Sequence, residues 1–189
     1  MYPLDLRNRL YALFRAALGR PKAAEAFLAG VRPLLDATLP GSVRRAYLRD
    51  RLPRFKAVLA LCASLEAPHG SWEREVSIGR LLYNKGLFFD CHEYLEELWR
   101  RSHGHDRRVV QGLIQAGAGF HKLELGSPVG CAKLLRLAHG KLNDVPGKGA
   151  KAYARFAARL ETAAALVKKG RGVLGKAPRM GPGLAVSPR

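Results

Sequence analysis

The chain has 189 residues, 48% of them hydrophobic, and carries a formal net charge of +18. That apolar content argues against a disordered polycation and suffices for one compact domain or two small ones. No apolar run approaches membrane-spanning length, the N-terminus lacks the basic-then-apolar pattern of a signal peptide, and Cys62, Cys91 and Cys131 form no CxxC pair. Neither a disulfide framework nor a zinc knuckle is therefore indicated, and a reducing cytoplasm is the expected compartment.

The positive excess is spread over the whole chain and is densest from residue 161 onward. Such a field draws a protein toward nucleic acid, anionic membranes or acidic partners without choosing among them. No base-reading motif accompanies it, so a nucleic-acid partner would be held non-specifically, through phosphates.

In chain order, residues 4–18 carry Leu6, Leu10, Leu13, Phe14, Ala17 and Leu18 at helical spacing, and Gly19-Arg20-Pro21 ends that helix. A second helix places Ala24, Phe27, Leu28 and Val31 on one side, with Pro33 expected to bend or restart it. After the break at residues 39–42, residues 43–51 and 53–65 read as one broken helix or two short ones. Arg44, Arg45, Arg49, Arg51, Arg54 and Lys56 there form either a solvated face or a phosphate-facing patch. Residues 67–71 are the expected boundary between an N-terminal helical extension, 1–70, and a main unit, 71–167.

Within the main unit, residues 72–85 are helical and Gly86 is placed to end that helix. Leu87-Phe88-Phe89 is expected as a short apolar link, with Asp90 as the N-cap of the next helix and Glu93 completing a capping-box pattern. Residues 101–106 make a polar turn in which His103 and His105 read as exposed. Asp106 is the expected cap of a helix over 107–125. Gly126-Ser127-Pro128 reads as stop, N-cap and N1 of a helix to Leu142, and a last helix spans 149–167. From Lys168 onward, glycine, proline and single basic residues alternate without period, so 168–189 is expected to be a disordered basic tail. No alternating β-branched segment occurs, which makes the expected fold all-α: a compact multi-helix bundle with additional N-terminal helices.

The chemistry-bearing residues concentrate between Gly86 and Leu125. At about 100° per residue, Cys91, Tyr94, Leu95, Leu98 and Trp99 share an apolar arc. His92 and Glu96, four apart, fall at its edge, while Glu93 and Glu97 point farther out. On the following helix His121 lies between Val110 and Ile114 on the broad apolar side, with Glu124 nearby and Gln111, Gln115 and Lys122 in a polar seam. A short connection makes the two helices antiparallel neighbours, so His92, Glu96 and His121 can converge.

Three readings follow. The residues form a mononuclear metal site with His92, Glu96 and His121 as ligands to a divalent cation; or a metal-free acid–base site on the same three residues; or a hydrogen-bonded cluster that fixes helix packing. Glu93, Trp99, Gln111 and Gln115 are the candidate ligand contacts. His92-Glu93-x-x-Glu96 has Glu where the zinc-protease motif needs its second His, and no repeated Glu-x-x-His pattern marks a dinuclear site.

The segments Tyr83-Asn84-Lys85-Gly86-Leu87-Phe88-Phe89-Asp90, His92 to Arg100 and Gln111-Gly112-Leu113-Ile114-Gln115, followed by His121, Gly130 and Leu134-Leu135, carry a resemblance. Over about residues 76–142 the chain resembles the small all-helical family known as domain of unknown function 309. The resemblance implies a helical bundle, and His92, Glu93, Glu96, Trp99, Gln111, Gln115 and His121 match the family's polar motif. It implies no reaction or substrate. Cys91 departs from it, standing where the family pattern has a small residue such as alanine.

The leading functional expectation is a helical-bundle protein whose His/Glu cleft binds a metal or small ligand, with hydrolysis as the reaction class. The alternative is a basic nucleic-acid-associated or protein-interaction module in which the cluster is structural and the slim Gln111 to Phe120 stretch of helix serves an oligomer or partner interface.

Overall fold

The computed structural model describes residues 4–170 and 176–185. Among them the chain is all-helical, with eight packed α-helices and no strand, and no helix is long and apolar enough to cross a membrane. It divides into two compact units, Met1–Glu66 and Ala67–Arg189.

The first unit holds α1 (Leu4–Ala17), α2 (Ala23–Asp36) and α3 (Val43–Ala63). The 3.6-residue spacing puts Leu6, Leu10 and Phe14 of α1, Phe27 and Val31 of α2, and Leu48, Phe55 and Val58 of α3 in its core. Phe55 is the hinge of that packing, with its ring 5.3 Å from Phe14 and 5.4 Å from Phe27. The expected restart at Pro33 and break at Pro53 are absent, since both prolines lie inside continuous helices. A helix-interior proline costs about 3 kcal/mol, and in α3 the burial of Leu48, Phe55, Val58 and Leu59 on either side of Pro53 offsets it.

The second unit holds α4 (Trp72–Asn84), α5 (Phe88–Arg101), α6 (Gly104–Glu124), α7 (Pro128–Leu142) and α8 (Ala150–Lys168). Helix α6 is its centre, packed between α5 and α7, with α4 against α5 and α8 against α7. Glycines make this possible. A Cβ on Gly117 would stand 3.2 Å from the Phe88 carbonyl oxygen of α5, and one on Gly119 would stand 2.9 Å from Leu135 of α7. Two residues apart on a helix means nearly opposite faces, so α6 is slim on both sides and its two neighbours close onto its backbone.

Below this layer Tyr83, Phe88, Phe120 and Phe156 form an aromatic core. Phe88 stacks on Phe120 at 5.3 Å, and Tyr83 stands edge-on to the other three rings at 5.2 to 5.9 Å. The Tyr83 hydroxyl is buried there with no hydrogen-bond partner among the described residues, and burial pushes its pKa well above the ordinary phenol value. A buried polar group left unpaired carries its desolvation cost uncompensated. Tyr83→Phe should therefore stabilise the protein, by about 1 kcal/mol in urea unfolding.

Two expected helix starts are corrected, the first of them through that core. Helix α5 begins at Phe88 rather than after Asp90, and Asp90 sits buried in its first turn with no side-chain cap at Leu87. Stacking of Phe88 on Phe120 draws the apolar link into the helix, directly after Gly86 (φ 69°) ends α4. Likewise α6 begins at Gly104, and Asp106 is a buried first-turn residue instead of its cap. Carboxylates there still meet the positive end of the helix dipole.

The expected disordered tail is corrected for residues 176–185. The Asn84 side-chain amide donates to the Met180 carbonyl and accepts from its N–H, both at 2.9 Å. The Tyr153 hydroxyl donates to the Leu184 carbonyl at 2.8 Å, within a short 3₁₀ helix over Pro182–Ala185. Met180 and Leu184 are buried. Two anchors in ten residues leave no period in the sequence, yet one amide pairing with a backbone suffices to seat the segment on α4. The rest of the expected tail after Gly170, 171–175 and 186–189, lies outside the described residues.

Candidate functional site

Helix α5 presents His92, Glu93 and Glu96 together. The His92 Nδ1 faces the Phe89 carbonyl at 3.2 Å, and its Nε2 lies 3.3 Å from Glu96 Oε1 and 3.6 Å from Glu93 Oε1. Both ring nitrogens thus face acceptor oxygens. Glu96 is shared, since its other oxygen takes the Arg100 guanidinium at 3.4 Å. The group is partly open to solvent, with the His92 side chain about one-fifth exposed.

Helix α6 supplies a second pair. His121 Nδ1 lies 3.2 Å from Glu124 Oε2, and both side chains are nearly buried. Phe89 joins the two pairs: its ring centre is 5.6 Å from that of His92 and 5.4 Å from that of His121. The two imidazoles are therefore separated by no more than the sum of these distances. Close approach at Gly117, where a Cβ would stand 3.6 Å from the His92 backbone nitrogen, holds the helices in this register.

Trp99 lies two turns beyond His92 on the same face of α5. It is half-buried, the Arg107 guanidinium stands 3.9 Å over its ring, and its indole N–H is buried with no hydrogen-bond partner among the described residues. Gln111 and Gln115 are half-buried on α6, and the Gln115 carbonyl oxygen is likewise buried and unpartnered.

The expected three-ligand metal set is not assembled. Among the described residues no three His, Cys, Asp or Glu side chains are grouped so that they could hold a metal ion. The physical reason is local pairing: each histidine takes a carboxylate from its own helix, and what links the two pairs is the apolar Phe89 ring rather than a shared ligand. Spacing along each helix revealed the His–Glu pairs, whereas Phe89 and Arg107 were missed. Phe89 read as a link residue, and Arg107 reaches Trp99 only because the turn after α5 folds back.

The cysteines offer no nucleophile. All three are buried and none is in a disulfide. Burial first, and then the neighbouring Asp90, push the Cys91 thiol up far beyond its ordinary range, and burial pushes Cys131 up to about 11. In the first unit, the expected phosphate-facing arginines are largely engaged within the protein. Arg44 forms a two-pronged pair with Asp5, holding that carboxyl below its usual range, Arg45 donates to the Leu35 carbonyl, and Arg54 pairs with Asp50. Arg51 is buried.

Residues 77–134 match the family described as "Domain of unknown function (DUF309)". The chain carries a DUF309 domain. The DUF309 segment runs from α4 into α7 and contains His92, Glu93, Glu96, Trp99, Gln111, Gln115 and His121, together with Phe89, Arg107 and Glu124. It stops within α7, short of α8. No curated protein and no solved structure gives a match to the chain.

Proposed function

We propose that the α5–α6 face of the DUF309 domain binds a small polar ligand and carries out acid–base chemistry on it, hydrolysis being the reaction class, with His92 and His121 as the proton-handling groups. One observation carries this reading: a single aromatic ring, Phe89, joins two histidines that each have a carboxylate 3.2 to 3.3 Å away. A carboxylate beside an imidazole fixes the ring's orientation and stabilises the charge that the ring gains when it takes a proton. Glu96 and Glu124 are the orienting partners. Glu93, Trp99, Gln111 and Gln115 supply the surrounding ligand contacts, and no bound metal is needed for the proton transfer.

The test is a screen of nitrophenyl acetate, nitrophenyl phosphate and bis-nitrophenyl phosphate with the parent, His92→Gln and His121→Gln. Glutamine keeps an N–H for the neighbouring carboxylate but cannot shuttle a proton at neutral pH. Each variant should melt close to the parent and lose about 10²- to 10⁴-fold of the parent's rate on whichever ester it turns over. Turnover by both variants at the parent's rate, or a parent rate equal to buffer on all three esters, would overturn the catalytic reading.

A further inference from the structure

The face built by α7 and α8 has a different character from α5–α6. Between residues 128 and 170 the chain has nine Lys and Arg against only Asp144 and Glu161. A groove of about 600 Å³ lies on this face, at the start of α7 and the end of α8. Its apolar lining comes from Val129, Ala132, Leu137 and Val167, and Lys133, Arg136 and Lys168 stand beside them. On α7 the apolar and basic liners interleave on one helical face, Val129 to Leu137, a stretch of about 12 Å at 1.5 Å per residue. Arg136 has one acidic neighbour, Glu161, at 3.9 Å.

Val129 is 82% exposed and Leu137 43% exposed. Single exposed apolar residues need no explanation, but two beside a groove of buried apolar groups form a contiguous patch. We infer that this groove receives an amphipathic helix of a partner protein, one that carries acidic residues beside its apolar anchors. Charge complementarity selects acidic flanks, because Lys133, Arg136 and Lys168 border the apolar floor and the surrounding helices add to the same field. The length of the stripe matches about two turns of helix, enough for anchors at i, i+3 or i+4, and i+7.

Openness selects a helix over a small amphiphile. Small-ligand sites bury most of their ligand, whereas Val129 and Leu137 stand in water above the buried Ala132 and Val167, and a rod about 10 Å across would cover the exposed pair. Nucleic acid would leave the apolar floor unused, since among the described residues no aromatic side chain lines the groove for stacking. A second copy of the chain would bring an equally basic face to meet this one.

The probe is a fluorescein-labelled sixteen-residue synthetic helix with leucines at i, i+3, i+7 and i+10 and glutamates on its flanks, set against a scramble of the same composition. Anisotropy should give a Kd at least tenfold tighter for the helix than for the scramble. Leu137→Glu and Val129→Asp, both surface changes expected to leave melting unaltered, should each weaken binding at least tenfold. Amide shifts should map to α7 and the end of α8. Equal affinity for the scramble would reduce the effect to bare charge attraction and overturn the inference. So would unchanged binding in both variants, or no shifts in α7 and α8 at millimolar peptide. Displacement of the peptide by phosphatidylserine vesicles or by a duplex DNA oligonucleotide, each bound more tightly than the helix, would also overturn it, assigning the face to a membrane or to nucleic acid.

Discussion

Phe120→Ala should destabilise the second unit by about 3–5 kcal/mol. Phe120 is fully buried, stacked on Phe88 and edge-on to Tyr83, so truncation removes one wall of the aromatic core and leaves a cavity that three other rings cannot collapse into. The lost ring pairing adds to the lost burial. Against a total stability of about 5–15 kcal/mol for a domain this is a large fraction, and it should lower the melting temperature by roughly 10–20 °C. Trp72 and Trp99 are the only tryptophans in the chain, and both belong to the second unit. Tryptophan fluorescence, excited beyond the tyrosine absorption band, therefore reads that unit alone during thermal or urea unfolding. A shift below about 3 °C would mean that Phe120 is not part of a packed core and that the α4–α5–α6 arrangement is wrong.

Gly117→Leu should be as damaging by the opposite route. A Cβ at this position would already press within 3.2 Å of the Phe88 carbonyl oxygen and 3.4 Å of the Cys91 sulfur. The first of these is backbone, which cannot rotate away, so a leucine must push α5 off α6. Overpacking costs typically about 1–3 kcal/mol and sometimes more; with helix backbone as the obstacle, a loss of about 3 kcal/mol is expected. Gly117→Ala is the graded control, because alanine gains about 1 kcal/mol of helix propensity while adding one tight contact. Its stability should stay within about 1 kcal/mol of the parent's. The leucine variant has a second consequence, since Phe89 and His92 ride on the displaced helix. In any population that remains folded, the His92 ring resonances should move away from their parent positions. Retention of both parent stability and parent histidine shifts would show that α5 and α6 do not meet at Gly117.

The helices themselves were legible because burial on one side of a helix imposes a period that residues such as Leu6, Leu10, Phe14 and Val109, Leu113, Phe120 display directly. Punctuation at Gly86 and at Gly126-Ser127-Pro128 was equally readable, because a positive φ or a missing N–H restricts which residues can stand there. The His92–Glu96 and His121–Glu124 pairs followed from i,i+4 and i,i+3 spacing, which is geometry internal to one helix. The helix starts at Phe88 and Gly104 did not follow, because capping rules weigh Asp90 and Asp106 by local hydrogen bonding alone. At Phe88 an aromatic contact reaching 32 residues along the chain prevailed. Proline rules failed at Pro53 for a related reason: flanking apolar residues bury enough surface to outweigh one missing hydrogen bond.

By itself, then, the sequence determined the all-α class, the helical faces, the DUF309 motif residues and the intrahelical His–Glu pairs, since each depends on spacing of at most a few residues. Only the tertiary structure decided that Phe89 contacts both histidines, that among the described residues no three candidate ligands gather into a metal site, that residues 176–185 are seated by Asn84 and Tyr153, and that the α7–α8 face carries a basic-edged apolar groove. Each of these joins residues on different helices or distant segments. Their contacts depend on crossing positions set by α6 glycines and a buried aromatic cluster, and no local period records where two helices will meet.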